Sequence, residues 1–274
     1  MTLSRREVSD LLTRHGIHPS RALGQNFVVD PNTVRRIARL AAVGPGDHVI
    51  EIGAGLGSLT LALRETGAAV TAVELDKRLV PVLRETVESA DVAVVEGDAM
   101  TIDWPALLAS APRWSLVANL PYNVATPLVA DLLDGVPAIG RMLVMVQREV
   151  GERLAAHVGD DGYGAVSVKV DYWSEAAIVG RVPPTVFLPK PKVESALVRI
   201  ERRAAPAVDP GTVAPSRLFA LVRAGFAQRR KMVRRSLAGL VDDAAFAAAG
   251  VEPTARAEDL DVGAWGRLAA CATS

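Results

Sequence analysis

Four consecutive residues, Asn119-Leu120-Pro121-Tyr122, combine side chains suited to a flat base bearing an exocyclic amine. They follow an apolar run at 114–118 that predicts a buried strand, and open α/β sheets bind ligands at the carboxyl ends of their strands. Asn119 offers an oxygen that accepts an N–H, and Tyr122 offers a ring face for stacking. Asn and Pro are also common in ordinary turns, so the tetrapeptide alone leaves both interpretations open.

An earlier part of the chain has the pattern of a nucleotide-binding unit. A predicted strand at 48–52 runs into a turn with glycines at 53, 55 and 57, and a predicted helix follows. Glycine lets a ligand approach the backbone closely, and the helix start offers free N–H groups. A second predicted strand ends at Glu74, at the spacing expected of an acid that binds ribose hydroxyls. We therefore expect Gly53, Gly55 and Glu74 to contact a nucleotide.

The details of the glycine turn distinguish between cofactors. The fingerprint of a dinucleotide-binding turn has Gly or Ala as its third small residue, whereas this chain has Ser58 at that position. In addition, an acid, Glu51, lies two residues before the first glycine. The pattern resembles the first motif of class I S-adenosyl-L-methionine-dependent methyltransferases. An NAD(P) site and a turn without a ligand are the alternatives. In such methyltransferases an acid after the third strand, here Asp98, accepts hydrogen bonds from the adenine amine; its other interpretation is a cap for a helix starting near Trp104.

The composition excludes several classes of protein. The 274 residues carry no formal net charge, which argues against a uniformly basic nucleic-acid coat. The one cysteine, Cys271, excludes an internal disulfide framework, and the four histidines lack ligand spacing, so we expect no metal. No run is long and apolar enough to cross a membrane, and the first fifteen residues lack the apolar core of a signal peptide. We expect a cytoplasmic protein, and a monomer because no extra apolar helix face goes unused.

Four motifs together resemble one family, the ribosomal RNA adenine dimethyltransferases. The tetrapeptide at 119–122 is similar to the Asp/Asn-Pro-Pro-Tyr signature of methyltransferases that act on adenine N6. The resemblance spans residues 20 to about 240, with Val28 where a Leu is common. It implies a class I (Rossmann-like) α/β fold with a seven-stranded, mostly parallel sheet and a small all-α C-terminal domain, and it favours a helix over a strand at 163–172. The motifs lie at 24–27, at 119–123, at 187–195 and at 226–234.

The resemblance also implies roles for individual residues. The implied catalytic residues are Asn119, Leu120, Pro121, Tyr122 and Phe187. Phe187 is isolated among prolines, and its ring is a candidate second stacking face for an extruded adenine. The implied cofactor-binding residues are Asn26, Val28, Gly53, Gly55, Glu74, Asp98 and Asn119. For Phe187, plain packing is the alternative.

The C-terminal part carries a local excess of positive charge. Residues 217–241 contain seven basic side chains and no acid, with apolar residues at helical spacing, so they predict a basic helix that contacts a phosphate backbone. A solvated helix is the alternative. The predicted divisions are a catalytic domain with an N-terminal lid at 1–203, a linker at 204–216 and a helical RNA-binding domain at 217–274. The candidate RNA contacts are Arg223, Arg229, Arg230, Lys231, Arg234 and Arg235.

Within the family, the Pro-Lys-Pro-Lys-Val and Arg-Arg-Lys stretches favour the bacterial small-subunit branch. The resemblance then implies dimethylation of two adjacent adenosines near the 3′ end of the small-subunit (16S) RNA, with the immature 30S subunit as partner. Two alternatives stay open. One is a large-subunit (23S) RNA enzyme of the antibiotic-resistance type. The other is a ribosome-assembly factor whose binding matters more than its catalysis.

Overall fold

A computed structural model of the chain describes residues 2–121 and 124–272, so the predicted role of Tyr122 lies outside the described residues. The chain divides into two compact units. The first comprises the residues up to Gly151 together with Ala177–Glu201, and the second comprises Glu152–Ala176 together with the chain from Arg202 onward. No helix in the described part is both long and apolar enough to span a membrane.

A seven-stranded sheet is the framework of the fold. Its strand order is β4-β3-β2-β5-β6-β9-β7. The pairs β2–β3, β3–β4, β2–β5 and β5–β6 are parallel, whereas β6–β9 is antiparallel. The predicted class I α/β fold is therefore confirmed. The strands are β2 His48–Ile52, β3 Ala69–Glu74, β4 Ala93–Glu96, β5 Trp114–Asn119, β6 Ile139–Gln147, β7 Ser174–Val182 and β9 Ser195–Arg202.

A separate pair of two-residue strands brings distant motifs together. Strand β1 (Phe27–Val28) pairs antiparallel with β8 (Phe187–Leu188). Val29 extends the pairing by donating its N–H to the Val186 carbonyl at 2.8 Å. The N-terminal motif and the motif at 187–195, which are 160 residues apart in sequence, are thus neighbours in the first unit.

Helices connect these strands and build the second unit. Their starts follow local rules, as in the first helix, where Ser4 and Glu7 form a reciprocal capping box. The helices are α1 Arg5–Arg14, α2 Pro31–Ala41, α3 Ser58–Arg64, α4 Leu79–Val87, α5 Trp104–Leu107, α6 Ala125–Gly135, α7 Arg148–Leu154, α8 Ala165–Trp173, α9 Pro215–Ala227, α10 Val233–Ser236, α11 Asp243–Ala249 and α12 Val262–Cys271. Short 3₁₀ turns lie at Glu88–Ala90, Pro184–Val186 and Ala257–Asp259.

The central strands are apolar on both faces, as expected when helices cover both sides of a parallel sheet. Val49, Ile50, Val117 and Val144 are all buried. Burial of each such side chain stabilises the fold by about 1.5–3 kcal/mol. The rigid sheet that results fixes the positions of the residues at its carboxyl edge.

The second unit has its own core, and its boundaries differ from the predicted ones. Tyr163 and Tyr172 are buried in that core, and the Tyr163 hydroxyl donates to the Leu260 carbonyl at 2.8 Å. The segment 152–176 therefore groups with the C-terminal residues rather than with the predicted domain at 1–203. The predicted linker is also anchored, because Val213 is buried in the same core. The helical interpretation of 163–172 is confirmed by α8.

The prediction of a single helix over 217–241 is wrong. Helix α9 ends at Ala227, and the short helix α10 begins only at Val233. Two contacts pull the chain out of the helical path: Val233 donates its N–H to the Ala255 carbonyl at 2.7 Å, and Met232 forms an isolated antiparallel bridge with Arg256. The Arg229-Arg230-Lys231 sequence consequently lies in the turn between two helices.

Candidate active site

The carboxyl ends of β2, β3 and β5 open into one cavity in the first unit. The cavity joins the glycine turn after β2 to the residues that follow β5. Pro121 lines it, and so do all the residues predicted to bind a cofactor. These are Asn26, Val28, Gly53, Gly55, Glu74, Asp98 and Asn119.

The glycine turn is tied to the acid at the end of β3. Gly55 donates its N–H to Glu74 Oε2 at 2.7 Å, and Asp76 donates its N–H to Glu74 Oε1 at 2.8 Å. Gly55 has φ +61°, which favours glycine, and a Cβ there would lie 3.1 Å from the Phe27 ring. Burial raises the pKa of Glu74. The two backbone bonds hold this carboxyl in the cavity wall.

Glu51 belongs to the glycine-turn pattern, but the sequence assigned it no ligand contact of its own. It is 1% exposed, yet it lines the cavity, and its Oε2 has no hydrogen-bond partner in the described part of the chain. Burial and the nearby charge of Glu74 raise its pKa to about 8. The signal available from sequence was an acid in an otherwise apolar strand just before a glycine turn.

The donor set fits S-adenosyl-L-methionine. An unpartnered buried acceptor such as Glu51 Oε2 is costly unless a ligand supplies a donor or a cation. The amino-acid end of S-adenosyl-L-methionine carries an ammonium group that can do so. Glu74 and Asp98, which were predicted to bind the ribose and the adenine amine, line the same cavity as Glu51. Within the described residues, no cluster of three or more His, Cys, Asp or Glu side chains could hold a metal ion.

Asp98 is half-buried and shapes the loop after β4. Its Oδ1 accepts the Met100 N–H at 2.9 Å. It does not cap the helix near Trp104, since Asp103 does so by accepting the Ala106 N–H at 3.1 Å. The helix-cap interpretation of Asp98 is therefore wrong, and the carboxylate remains in the cavity wall.

Asn119 is the last residue of β5, and its amide has a defined orientation. The side-chain Nδ2 donates to the backbone carbonyl of Asn26 at 3.0 Å. The next residue, Leu120, is 1% exposed and donates its N–H to the Met145 carbonyl at 3.0 Å. The sheet thus fixes the backbone at this point, and the N-terminal segment fixes the carboxamide.

The N-terminal segment is fastened over the cavity by side-chain bonds as well. Gln25 Nε2 donates to Asp76 Oδ2 at 2.8 Å, while Gln25 Oε1 accepts the Ser20 N–H at 2.7 Å. The Arg78 guanidinium, assisted by Gln25, lowers the pKa of Asp76 to about 2. Gln25 was part of a recognised motif but had no predicted role of its own. Here it anchors the segment that was predicted to act as a lid.

The structure does not bring Phe187 to the cavity. Its side chain is 1% exposed and packs in a core cluster with Val28, Ile37 and Leu197. Pairing of β8 with β1 turns the ring inward, so plain packing is what the structure contains. The predicted stacking face is correspondingly absent from the described cavity lining.

The basic residues of the second unit differ in their surroundings. Arg229 is paired, because its Nε donates to Glu258 Oε2 at 2.6 Å and its Nη2 donates to the Asp161 carbonyl at 3.0 Å. These bonds connect Arg229 to two other segments of the second unit, and its contact with RNA stays a prediction. The other candidates are exposed; they are Arg223, Arg230, Lys231, Arg234 and Arg235.

The sheet order, the glycine turn tied to an acid and the cavity at the carboxyl edge define a class I S-adenosyl-L-methionine-dependent methyltransferase. A family model described as "Ribosomal RNA adenine dimethylase" matches residues 18–273. The chain belongs to that family.

Curated relatives match over nearly the full length. Ribosomal RNA small subunit methyltransferase A of Kineococcus radiotolerans is 48% identical, over 98% of this chain and 91% of the relative. The protein of the same name from Cutibacterium acnes is also 48% identical, over 92% of this chain and 88% of the relative.

Two solved structures have the same fold. The 23S rRNA methyltransferase ErmE is 29% identical, with a TM-score of 0.69 over 89% of this chain and 98% of that one. A dimethyladenosine transferase from Plasmodium falciparum is 22% identical, with a TM-score of 0.71 over 87% of this chain and 94% of that one. The second likeness concerns the fold alone.

Proposed function

We propose that this chain transfers methyl groups from S-adenosyl-L-methionine to N6 of two adjacent adenosines in a hairpin loop near the 3′ end of small-subunit (16S) ribosomal RNA. The observation that carries the proposal is the cavity that joins the glycine turn to Asn119 and Pro121. The 48% identity to a small-subunit methyltransferase supports small-subunit RNA as the substrate.

The reaction needs a lone pair that adenine does not readily offer. The N6 lone pair is conjugated with the ring, so the amine is a poor nucleophile. In the first transfer, Asn119 Oδ1 and the Leu120 backbone carbonyl accept the two N6 hydrogens and turn the lone pair out of the ring plane. This is positional and electrostatic catalysis, in which preorganised acceptors meet charge that develops on the amine. A neutral amide is a weak base, so the proton leaves to water after the transfer.

The cofactor supplies an electrophilic methyl group on a sulfonium. Glu51 accepts from its ammonium group, Glu74 from the ribose hydroxyls, and Asp98 from the adenine amine. Gly53 and Gly55 leave room for close approach of the backbone. Asn26 and Val28 line the same cavity.

The RNA is held by stacking and by charge. Tyr122 stacks on the extruded adenine, a contact worth about 1–3 kcal/mol per base. A second stacking role for Phe187 requires its ring to leave the core. The exposed cations at 223, 230, 231, 234 and 235 bind phosphates. The enzyme acts as a monomer in the cytoplasm, on the immature 30S subunit.

Large-subunit RNA is the second candidate substrate. The 29% identity to the 23S rRNA methyltransferase ErmE, over 89% of the chain, favours it. The higher identity to the small-subunit enzymes argues for the first candidate. A role in subunit assembly is compatible with either substrate, because binding and methyl transfer use the same RNA surface.

Methyl transfer from labelled cofactor tests the proposal. Purified immature small subunits and large-subunit RNA are offered separately, and the modified nucleoside is mapped. We expect label as dimethyladenosine in the small subunit alone. Label confined to large-subunit RNA would establish the second candidate instead. An Asn119→Ala variant is expected to lose transfer; if that inactive variant still rescued assembly in cells, binding would be the main role.

A further inference from the structure

The orientation of the Asn119 carboxamide is set from outside the strand that carries it. Asn119 is half-buried, and its Nδ2 donates at 3.0 Å to the carbonyl of Asn26, a residue 93 positions earlier in the chain. An amide has a donor end and an acceptor end. Because the donor end is engaged, Oδ1 is the end that faces the cavity.

The Asn26 carbonyl is itself held in place. Gln25 bonds to Asp76 on one side, and the β1–β8 pairing begins at Phe27 on the other. The Asn26 side chain also donates to the Gly24 carbonyl at 3.1 Å, which narrows the conformations of this short segment. The acceptor for Asn119 Nδ2 is therefore a fixed backbone group rather than a mobile side chain.

We propose that the Asn26 backbone carbonyl is the positioning group for Asn119, and that it makes position 119 selective for an amide over a carboxylate. The inference rests on the proposed function, in which Asn119 Oδ1 accepts an N6 hydrogen. An ionised Asp at this position has two acceptor oxygens and no donor. One of them would face the Asn26 carbonyl oxygen at hydrogen-bonding distance, with no proton between them. A protonated Asp restores the pattern, because its O–H donates to Asn26 and its second oxygen accepts from the base.

Among the described residues that line the cavity with Asn119, three are acidic and none is basic. Glu51 and Glu74 line the same cavity from β2 and β3, and the ionised form of either one disfavours a further negative charge nearby. Asp98 lines it from the loop after β4. From β6 and from the N-terminal segment, Asn119 meets backbone groups: Met145 pairs with Asn119 in the sheet, and Asn26 supplies the carbonyl.

The test is the pH profile of Asn119→Asp, measured as methyl transfer at saturating cofactor relative to the wild-type chain. The lost donor leaves an unsatisfied acceptor, so we expect a loss of about 10–100-fold at pH 8.5. Only the protonated Asp can both donate to Asn26 and accept from the base. The transfer rate of the variant relative to the wild-type chain is therefore expected to rise as the pH falls toward 6. Asn32→Asp makes the same chemical change at an exposed helix start, and its ratio is expected to stay flat.

A second measurement does not depend on turnover. In the wild-type chain the ¹⁵N-labelled Asn119 side-chain amide is expected to exchange its Nδ2 hydrogens slowly with solvent. Gln25→Ala releases the segment that holds Asn26, so the exchange should accelerate while the thermal midpoint changes little. Calorimetric binding of S-adenosyl-L-methionine is measured for every variant, to separate loss of cofactor from loss of positioning.

Three outcomes overturn the inference: near wild-type transfer by Asn119→Asp at all pH values, a loss that does not vary with pH, or rapid Nδ2 exchange in the wild-type chain. Failure of the proposed function looks different. In that case the wild-type chain itself transfers no methyl group to RNA, while the slow exchange of the Asn119 amide persists.

Discussion

The backbone N–H of Gly55 donates to Glu74 Oε2 at 2.7 Å, joining the glycine turn after β2 to the end of β3. The bond uses one oxygen of Glu74 for structure, and Asp76 uses the other. The remaining lone pairs of the carboxyl are what a ribose can use, because each oxygen accepts more than one hydrogen bond. The Glu74 carboxyl can therefore hold the glycine turn and bind a ribose at the same time.

Gly55→Ala is expected to weaken binding of S-adenosyl-L-methionine by at least about 10-fold, because the new Cβ meets the Phe27 ring at 3.1 Å and displaces the covering segment. The added strain at positive φ costs about 1 kcal/mol of stability. Gly16→Ala is the matched control: its φ is +62° against +61° at Gly55, but nothing lies within 4 Å. Thermal unfolding should show a loss of stability in both variants, and isothermal titration should show the larger loss of affinity in Gly55→Ala. Equal affinities would contradict the packing argument.

Glu51→Gln is expected to stabilise the ligand-free chain at pH 8. The Glu51 pKa is about 8 in the folded chain against an ordinary value of 4.5, so the folded state keeps a proton that the unfolded state loses. Its contribution to stability is complete below pH 4.5 and is lost as the pH rises to about 8, at up to about 1.4 kcal/mol per pH unit. Thermal unfolding between pH 5 and 9 measures the slope.

In the Glu51→Gln variant we expect that slope to flatten while affinity for the cofactor falls, since the amide carries no charge to meet an ammonium group. The exposed Glu88→Gln change controls for the loss of one carboxyl. A variant with unchanged slope would show that Glu51 is ionised in the folded chain.

Substitutions of Phe187 can distinguish a role in core packing from a role in stacking on the adenine. Phe187→Ala removes a ring that is 1% exposed, and such truncations cost about 3–5 kcal/mol. Phe187→Leu keeps most of the buried volume and is expected to retain stability and RNA methylation. Chemical denaturation and steady-state transfer are measured together. If the Leu variant instead unfolds like the wild-type chain but transfers methyl groups much more slowly, the ring reaches the adenine during the reaction.

Arg229 and its neighbours in the turn after α9 are expected to respond differently to neutralisation. Arg230→Gln combined with Lys231→Gln should reduce the salt dependence of RNA affinity by roughly one unit of slope per cation. Arg229→Gln loses a partly exposed ion pair with Glu258, so it should lower stability by no more than about 1 kcal/mol and leave the salt slope nearly unchanged. Filter binding across a range of KCl concentrations distinguishes them. If Arg229→Gln changed the salt slope as much as each of the Arg230 and Lys231 substitutions, Arg229 would also contact the RNA.

The catalytic half of the fold could be predicted because its signals are local. The glycines at 53, 55 and 57, the acid at the end of β3 and the apolar strands follow from short-range backbone and burial rules. The same rules placed Asn119 and Pro121 at a sheet edge that binds ligands. All the predicted cofactor residues accordingly line one cavity.

The errors arose where long-range contacts override a local pattern. The apolar spacing over 217–241 is helical, but the Ala255 carbonyl and the bridge to Arg256 break the helix after Ala227. Phe187 is a different case: it stands among prolines, but β8 pairs with β1 and the ring packs in the core, so its stacking role stays a prediction.

The sequence by itself indicated the central strands, the glycine turn and the motifs of the family, because these depend on residue type and spacing along the chain. Only the tertiary structure decided which way the Asn119 amide points, that Glu51 Oε2 has no hydrogen-bond partner among the described residues and that Arg229 is paired with Glu258. Each of these depends on a group distant in sequence, and hydrogen bonds and desolvation act over a few ångströms of space.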